Sequence, residues 1–243
     1  MRFRSHNPVF QKVFKTPFED ETLEVASYKG VAFKTLFFVG VTILGAIISL
    51  WAAFSYPNAL GSILPVALGV TVVCSILALW FPNLSAFFGS LYCFGEGLLV
   101  GFVSLLFEAE APGVVLTAIL ATIVVLVVVA TLFLTRLIVV NSGFIRFLLI
   151  FSISMIVTQL LLWIISFSFG VTYDLGLSML SSGIMVFLAT LYLLFDFQNI
   201  CRVVEERAPK KLEWYVSFGL VFTIIWLYME ILPIIARIFF NRD

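Results

Sequence analysis

The chain has 243 residues, of which 62% are hydrophobic and only 12% charged. A soluble domain carries roughly 45–50% apolar and about 25% charged residues, so a water-soluble core is excluded and an all-α, polytopic membrane protein is expected. Formal net charge is zero, which leaves the topology to the placement of charges rather than to their sum.

Residues 1–30 form a polar arm with scattered aromatics. Asn7-Pro8 marks a turn. Thr16-Pro17-Phe18-Glu19 has the pattern of a helix start, with Thr16 as N-cap, Pro17 at the first helical position and Glu19 three residues after the cap. The arm is expected as a short surface helix or a loose tail. His6 lies in it and is the only histidine; with no partner nearby it is not read as catalytic or metal-binding. No signal peptide is expected, because Arg2 and Arg4 are not followed by an apolar stretch until about Val31.

The remainder, residues 31–243, reads as one transmembrane domain. Crossing about 30 Å of hydrocarbon takes about 20 apolar residues. Runs of that length fall at about 33–54, 62–81, 84–107, 114–136, 144–168, 176–200 and 214–238, which gives a seven-helix bundle. Only Pro82-Asn83 separates the second run from the third, and a proline there ends one helix and opens the next. In the third run, Gly97 and Gly101 form a GxxxG step, a seam that lets helices approach closely in lipid. The fourth run, Ile119–Leu134, is nearly all Val, Ile, Leu and Thr and is read as largely lipid-facing. Pro233 in the seventh run should kink it beside Glu230. The three cysteines, Cys74, Cys93 and Cys201, lack paired spacing and read as apolar fillers.

Lysine and arginine set the orientation. Arg2, Arg4, Lys12, Lys15, Lys29 and Lys34 precede or open the first helix. Arg136 and Arg146 flank the turn between the fourth and fifth helices, and Arg202, Arg207, Lys210 and Lys211 fill the turn between the sixth and seventh. Seven spans put all of these on one side. The opposite turns are uncharged or acidic, with Glu108 in one and Asp174 in another, and only Arg237 and Arg242 follow the seventh helix. The N-terminus is therefore expected in the cytoplasm and the C-terminus outside.

Three ionisable residues lie well inside the apolar runs: Glu96, Asp196 and Glu230. A charge in hydrocarbon costs several kcal/mol, so such groups face the bundle interior and are candidate functional residues. At 1.5 Å per residue, Glu96 lies roughly 18 Å into its helix, Glu230 roughly 18–24 Å into its own, and Asp196 only about 6–9 Å from Arg202. Two acids near mid-depth and one near the inner mouth outline a polar track. Two carboxyls that approach each other share a proton and titrate as a unit; once ionised they offer oxygen ligands to a hard cation such as Ca²⁺. The competing reading makes each acid a hydrogen-bonded structural residue with a partner such as Tyr92, Gln159, Tyr192 or Tyr228. The chain has no GxSxG, HExxH or phosphate-binding glycine loop, so it is not expected to be an enzyme. Neither a cofactor nor a nucleic-acid partner is expected, and the oligomeric state is left open.

Four segments together resemble the Bax inhibitor-1 family, also called the transmembrane Bax inhibitor motif family, most closely its bacterial branch. They are Ser5-His6-Asn7-Pro8-Val9, Tyr92-Cys-Phe-Gly-Glu96-Gly-Leu-Leu-Val-Gly101, Leu194-Phe-Asp196-Phe-Gln-Asn-Ile200, and Ala208-Pro-Lys-Lys-Leu-Glu-Trp-Tyr215 with Trp226-Leu-Tyr-Met-Glu230-Ile-Leu232. The resemblance implies a seven-helix bundle with the last helix central, in a bacterial plasma membrane. It also implies a pair of acids, Asp196 and Glu230, that seals a pH-sensitive Ca²⁺ leak, with Glu96 matching the family's helix 3 Glu-Gly. Leak-type members also carry a basic residue near the second helix, where this chain has Trp80-Phe-Pro-Asn83. The alternative the resemblance allows is a regulator of a membrane-protein partner such as a membrane protease, in which the arm and the 205–213 turn matter and the acids are structural.

Overall fold

The structure is a computed structural model. It describes residues 24–169 and 175–240, with the side chains of 57–63, 169 and 175–178 outside that description. His6, the Ser5–Val9 segment, the helix start at Thr16, Asp174 and Arg242 lie outside the described residues.

The described residues form seven α-helices. They are α1 (Tyr28–Ser55), α2 (Pro57–Trp80), α3 (Ser85–Glu110), α4 (Val114–Leu134), α5 (Ser142–Phe169), α6 (Leu175–Glu205) and α7 (Lys211–Phe240). Six are long and apolar enough to cross a membrane, while α2 is apolar over the shorter stretch Leu64–Trp80. One 3₁₀ turn, Pro82–Leu84, separates α2 from α3. Its exit is held by Ser85, fully buried, whose hydroxyl donates to the carbonyls of Ala78 and Pro82 at 3.0 Å each. Ser27 caps α1 by accepting the Gly30 amide at 3.0 Å. Glu108 caps α4 from the preceding helix, accepting the amides of Gly113 at 2.7 Å and Val115 at 2.9 Å; these amides would otherwise be orphan donors at a helix start.

Helix α7 packs against α1, α2, α3, α4 and α6. Two apolar clusters meet on it. One joins α4, α6 and α7 through Val114, Ala118, Leu193, Leu194, Leu227 and Leu232. The other joins α1, α3 and α7 through Phe38, Cys93, Tyr92, Phe218 and Val221. The second is largely aromatic: Phe38 meets Trp214 and Phe218 edge-on at 5.5 and 6.2 Å, and Tyr92 stacks on Phe222 at 5.4 Å. Gly89 makes room for it, since a Cβ there would lie 2.9 Å from Phe38 and 3.0 Å from Phe218.

The close approach of α1 to α3 rests on glycines from both helices. A Cβ on Gly97 would come within 2.2 Å of the Thr42 carbonyl oxygen, on Gly101 within 2.7 Å of Ala46 backbone, and on Gly45 within 2.4 Å of the Phe94 carbonyl oxygen. The most peripheral helix is α5, which packs against α6 alone among the described elements. Helix α4 exposes Ile119, Leu120, Ile123, Val124, Val127 and Val128 but buries Val114, Ala118, Thr122 and Val129. It is thus mostly exposed, as expected of a lipid-facing helix, with one narrow buried stripe; small residues one helical turn apart let that stripe reach α6 and α7. Helix α7 continues through Pro233 to Phe240.

Candidate functional site

The α6 and α7 helices run back to back from the turn Glu206–Lys210, which Arg207 closes in the left-handed region (φ 51°). That antiparallel pairing sets which side chains meet. Asp196 is 9% exposed, and Thr223 of α7 donates to its Oδ2 at 2.6 Å. Among the described residues no Lys, Arg or His pairs with Asp196. Its other oxygen points toward Gly219, where the α7 backbone is bare. A cavity of about 310 Å³ opens beside it, lined by Leu79 of α2, Tyr192, Phe195 and Asn199 of α6, and Tyr215, Phe222 and Trp226 of α7 among others.

Glu230 lies two turns beyond Thr223, about 10 Å along α7. It is half-buried and accepts from the indole N–H of Trp226 at 3.2 Å. The side chain that α7 presents to Asp196 is therefore Thr223, and Asp196 and Glu230 each take a separate donor. Glu96 is also half-buried. It follows Tyr92 by one turn, and Tyr92 stacks on Phe222, while Ser104, two turns further on, bonds Tyr228 at 2.7 Å. Residues four apart share a helix face, so Glu96 lies on the face of α3 that meets α7. Asp196 on α6 and Glu96 on α3 thus flank α7, which carries Glu230 itself. Among the described residues no three His, Cys, Asp or Glu side chains converge on a common metal position.

Three of the four partners that the sequence offers for the acids, Tyr228, Tyr192 and Gln159, are hydrogen-bonded elsewhere, and the Tyr92 ring packs on Phe218 and Phe222. Tyr228 bonds Ser104, Tyr192 bonds Ser152 at 2.9 Å, and Gln159 donates to Ser181 at 2.8 Å. Asp196 uses a threonine and Glu230 a tryptophan instead.

Sequence reasoning missed a fourth acid. Glu213, in the first turn of α7, is fully buried and forms an ion pair with Lys34, itself 7% exposed. The Ser27 amide donates to the same carboxylate at 2.7 Å, and the Lys34 ammonium lies 5.2 Å from the Trp214 ring centroid. Gly30 is required there, since a Cβ would sit 2.3 Å from the Glu213 carboxylate. One further tie runs alongside: Ala26 donates to the Ala208 carbonyl at 2.8 Å, Lys210 to the Glu24 carbonyl at 2.9 Å, and the Glu24 and Lys210 side chains pair. That pairing holds the Glu24 carboxyl below the usual carboxylate range and the Lys210 ammonium above its usual value. The end of the arm and the α6–α7 turn therefore form one surface. The buried Lys34 is committed to Glu213, not to Asp196.

Long apolar helices packed around α7, with acids held between them, define a multi-pass helical membrane protein. The chain belongs to the Bax inhibitor 1 like family, whose model matches residues 7–239. No curated protein matches it.

Proposed function

We propose that this protein is a pH-sensitive leak for Ca²⁺ or a similar cation, with all seven helices spanning the membrane around a central α7, and that it is not an enzyme. The observation that carries this reading is Asp196, a nine-tenths-buried acid with a neutral hydroxyl as its one hydrogen-bond partner among the described residues and a cavity beside it. A buried carboxylate without a countercharge is costly, and passage of a cation gives it a use. Asp196 is the gate on α6, and Thr223 is its latch on α7. Glu96 and Glu230 extend the acidic track along α3 and α7. Protonated, Asp196 closes against α7; ionised, it offers oxygen to a hard cation.

The test is Ca²⁺ influx into proteoliposomes from pH 6 to 8, with Asp196→Asn and Glu230→Gln beside the wild type. Flux that rises as the acids ionise, and loses its pH response in Asp196→Asn, is expected. Folded wild-type protein with no flux above empty liposomes overturns the leak. A second reading is favoured by the docking of residues 24–26 on the α6–α7 turn: this joint surface binds a regulated membrane protein. Deleting residues 1–26 separates the two, since loss of the cellular effect with flux intact assigns the effect to the surface.

A further inference from the structure

The cavity beside Asp196 has a composition that ion passage alone does not require. Five of its lining residues are aromatic, namely Tyr192, Phe195, Tyr215, Phe222 and Trp226, and none is basic. The Tyr192 and Trp226 rings lie 5.8 Å apart, inclined at 60°, so they form a corner rather than a filled stack. The one ionisable carboxyl in the lining, Asp196, is nine-tenths buried, and among the described residues its other oxygen accepts no hydrogen bond. Aromatic faces attract an organic cation, more strongly when water is excluded, and a buried carboxylate adds the countercharge. A volume of about 310 Å³ lies at the small end of ligand pockets, which run from about 300 to 1,000 Å³.

We propose that this cavity is a binding site for a small organic cation, an amine or quaternary ammonium whose head sits at Asp196 and whose alkyl groups lie against Tyr192, Tyr215 and Trp226. The site exists whether or not inorganic ions cross the bundle, so its test reads binding rather than flux. Full-length protein in nanodiscs is titrated calorimetrically with choline and with its uncharged isostere 3,3-dimethyl-1-butanol. Saturable choline binding is expected, with the neutral alcohol at least tenfold weaker. Asp196→Asn should weaken choline at least tenfold and leave the alcohol unchanged, and Trp226→Leu should weaken choline several-fold. Equal binding of the two probes to the wild type would make the cavity a plain apolar pocket and overturn the proposal. So would the absence of choline binding to wild-type protein, or full choline affinity in a folded Asp196→Asn variant.

Discussion

Asp196 and Glu213 are both buried acids, yet they are stabilised differently. Glu213 has a full countercharge in Lys34 and a backbone donor in Ser27. Breaking such a pair from one side leaves an uncompensated charge and costs about 3–5 kcal/mol, whereas replacing both partners is far milder. Lys34→Met and Glu213→Gln should each lower the melting temperature in detergent sharply, and the double variant should recover most of the loss. Among the described residues Asp196 relies on Thr223 alone. Thr223→Val removes that donor and should destabilise by about 1–3 kcal/mol or more, while Asp196→Asn keeps an acceptor for the threonine and should stay folded. The exposed Glu24–Lys210 pair has a pH signature of its own. The Glu24 carboxyl is held low, so its contribution is present at neutral pH and is lost as pH falls below the ordinary value of 4.5. Lys210 is held high, so its contribution is present below 10.5 and is lost as pH rises above that value. The protection factor of the Ala26 amide, corrected for the intrinsic pH dependence of exchange, should fall in acid, and Glu24→Gln should remove that response.

Glycine has two unlike roles along these helices. At Gly97 and Gly101 the backbone of α1 occupies the space a side chain would need. Gly97→Leu should separate α1 from α3 and abolish folded protein, read as loss of a monodisperse peak in size-exclusion chromatography. At Gly40 and Gly183 nothing lies within 4 Å of an added Cβ. Alanine there should stabilise by about 0.5–1 kcal/mol, because glycine loses more backbone freedom on entering a helix. The GxxxG spacing makes the seam on α3 readable in the sequence, but the matching approach of Gly45 on α1 follows no such spacing and appears only once the helices are paired. The same limit applies to α4. Its apolar composition describes the exposed face, and composition does not register that Ala118 and Thr122 form a narrow stripe against α6 and α7.

At the scale of the whole molecule, the proposed seven crossings would put Lys29, Arg136, Arg146, Arg202, Arg207, Lys210 and Lys211 at one end of the bundle and leave Arg237 near the other. A cysteine added after Asp243 should react with an impermeant thiol reagent from outside intact cells, and one placed at Glu206 should react only after the membrane is opened. The reverse labelling would overturn the orientation. The all-helical class was legible in the sequence because hydrocarbon demands long apolar runs with every backbone group satisfied within the segment. The placement of each acid inside a long apolar helix was legible for a similar reason. Partners were not. Which α7 residue faces Asp196 depends on the length of the α6–α7 turn and on the register of two antiparallel helices, and that register selects Thr223 and leaves Glu230 to Trp226. Lys34 and Glu213 are 179 residues apart, and each lies at the polar edge of its helix, where the sequence shows only an interfacial charge. Their burial arises from bringing α1 and α7 side by side. Chain order by itself determined the membrane, the helices and the acids within them; the tertiary structure alone decided which acid meets a cation and which is left facing a cavity, because contacts between distant helices are set by packing.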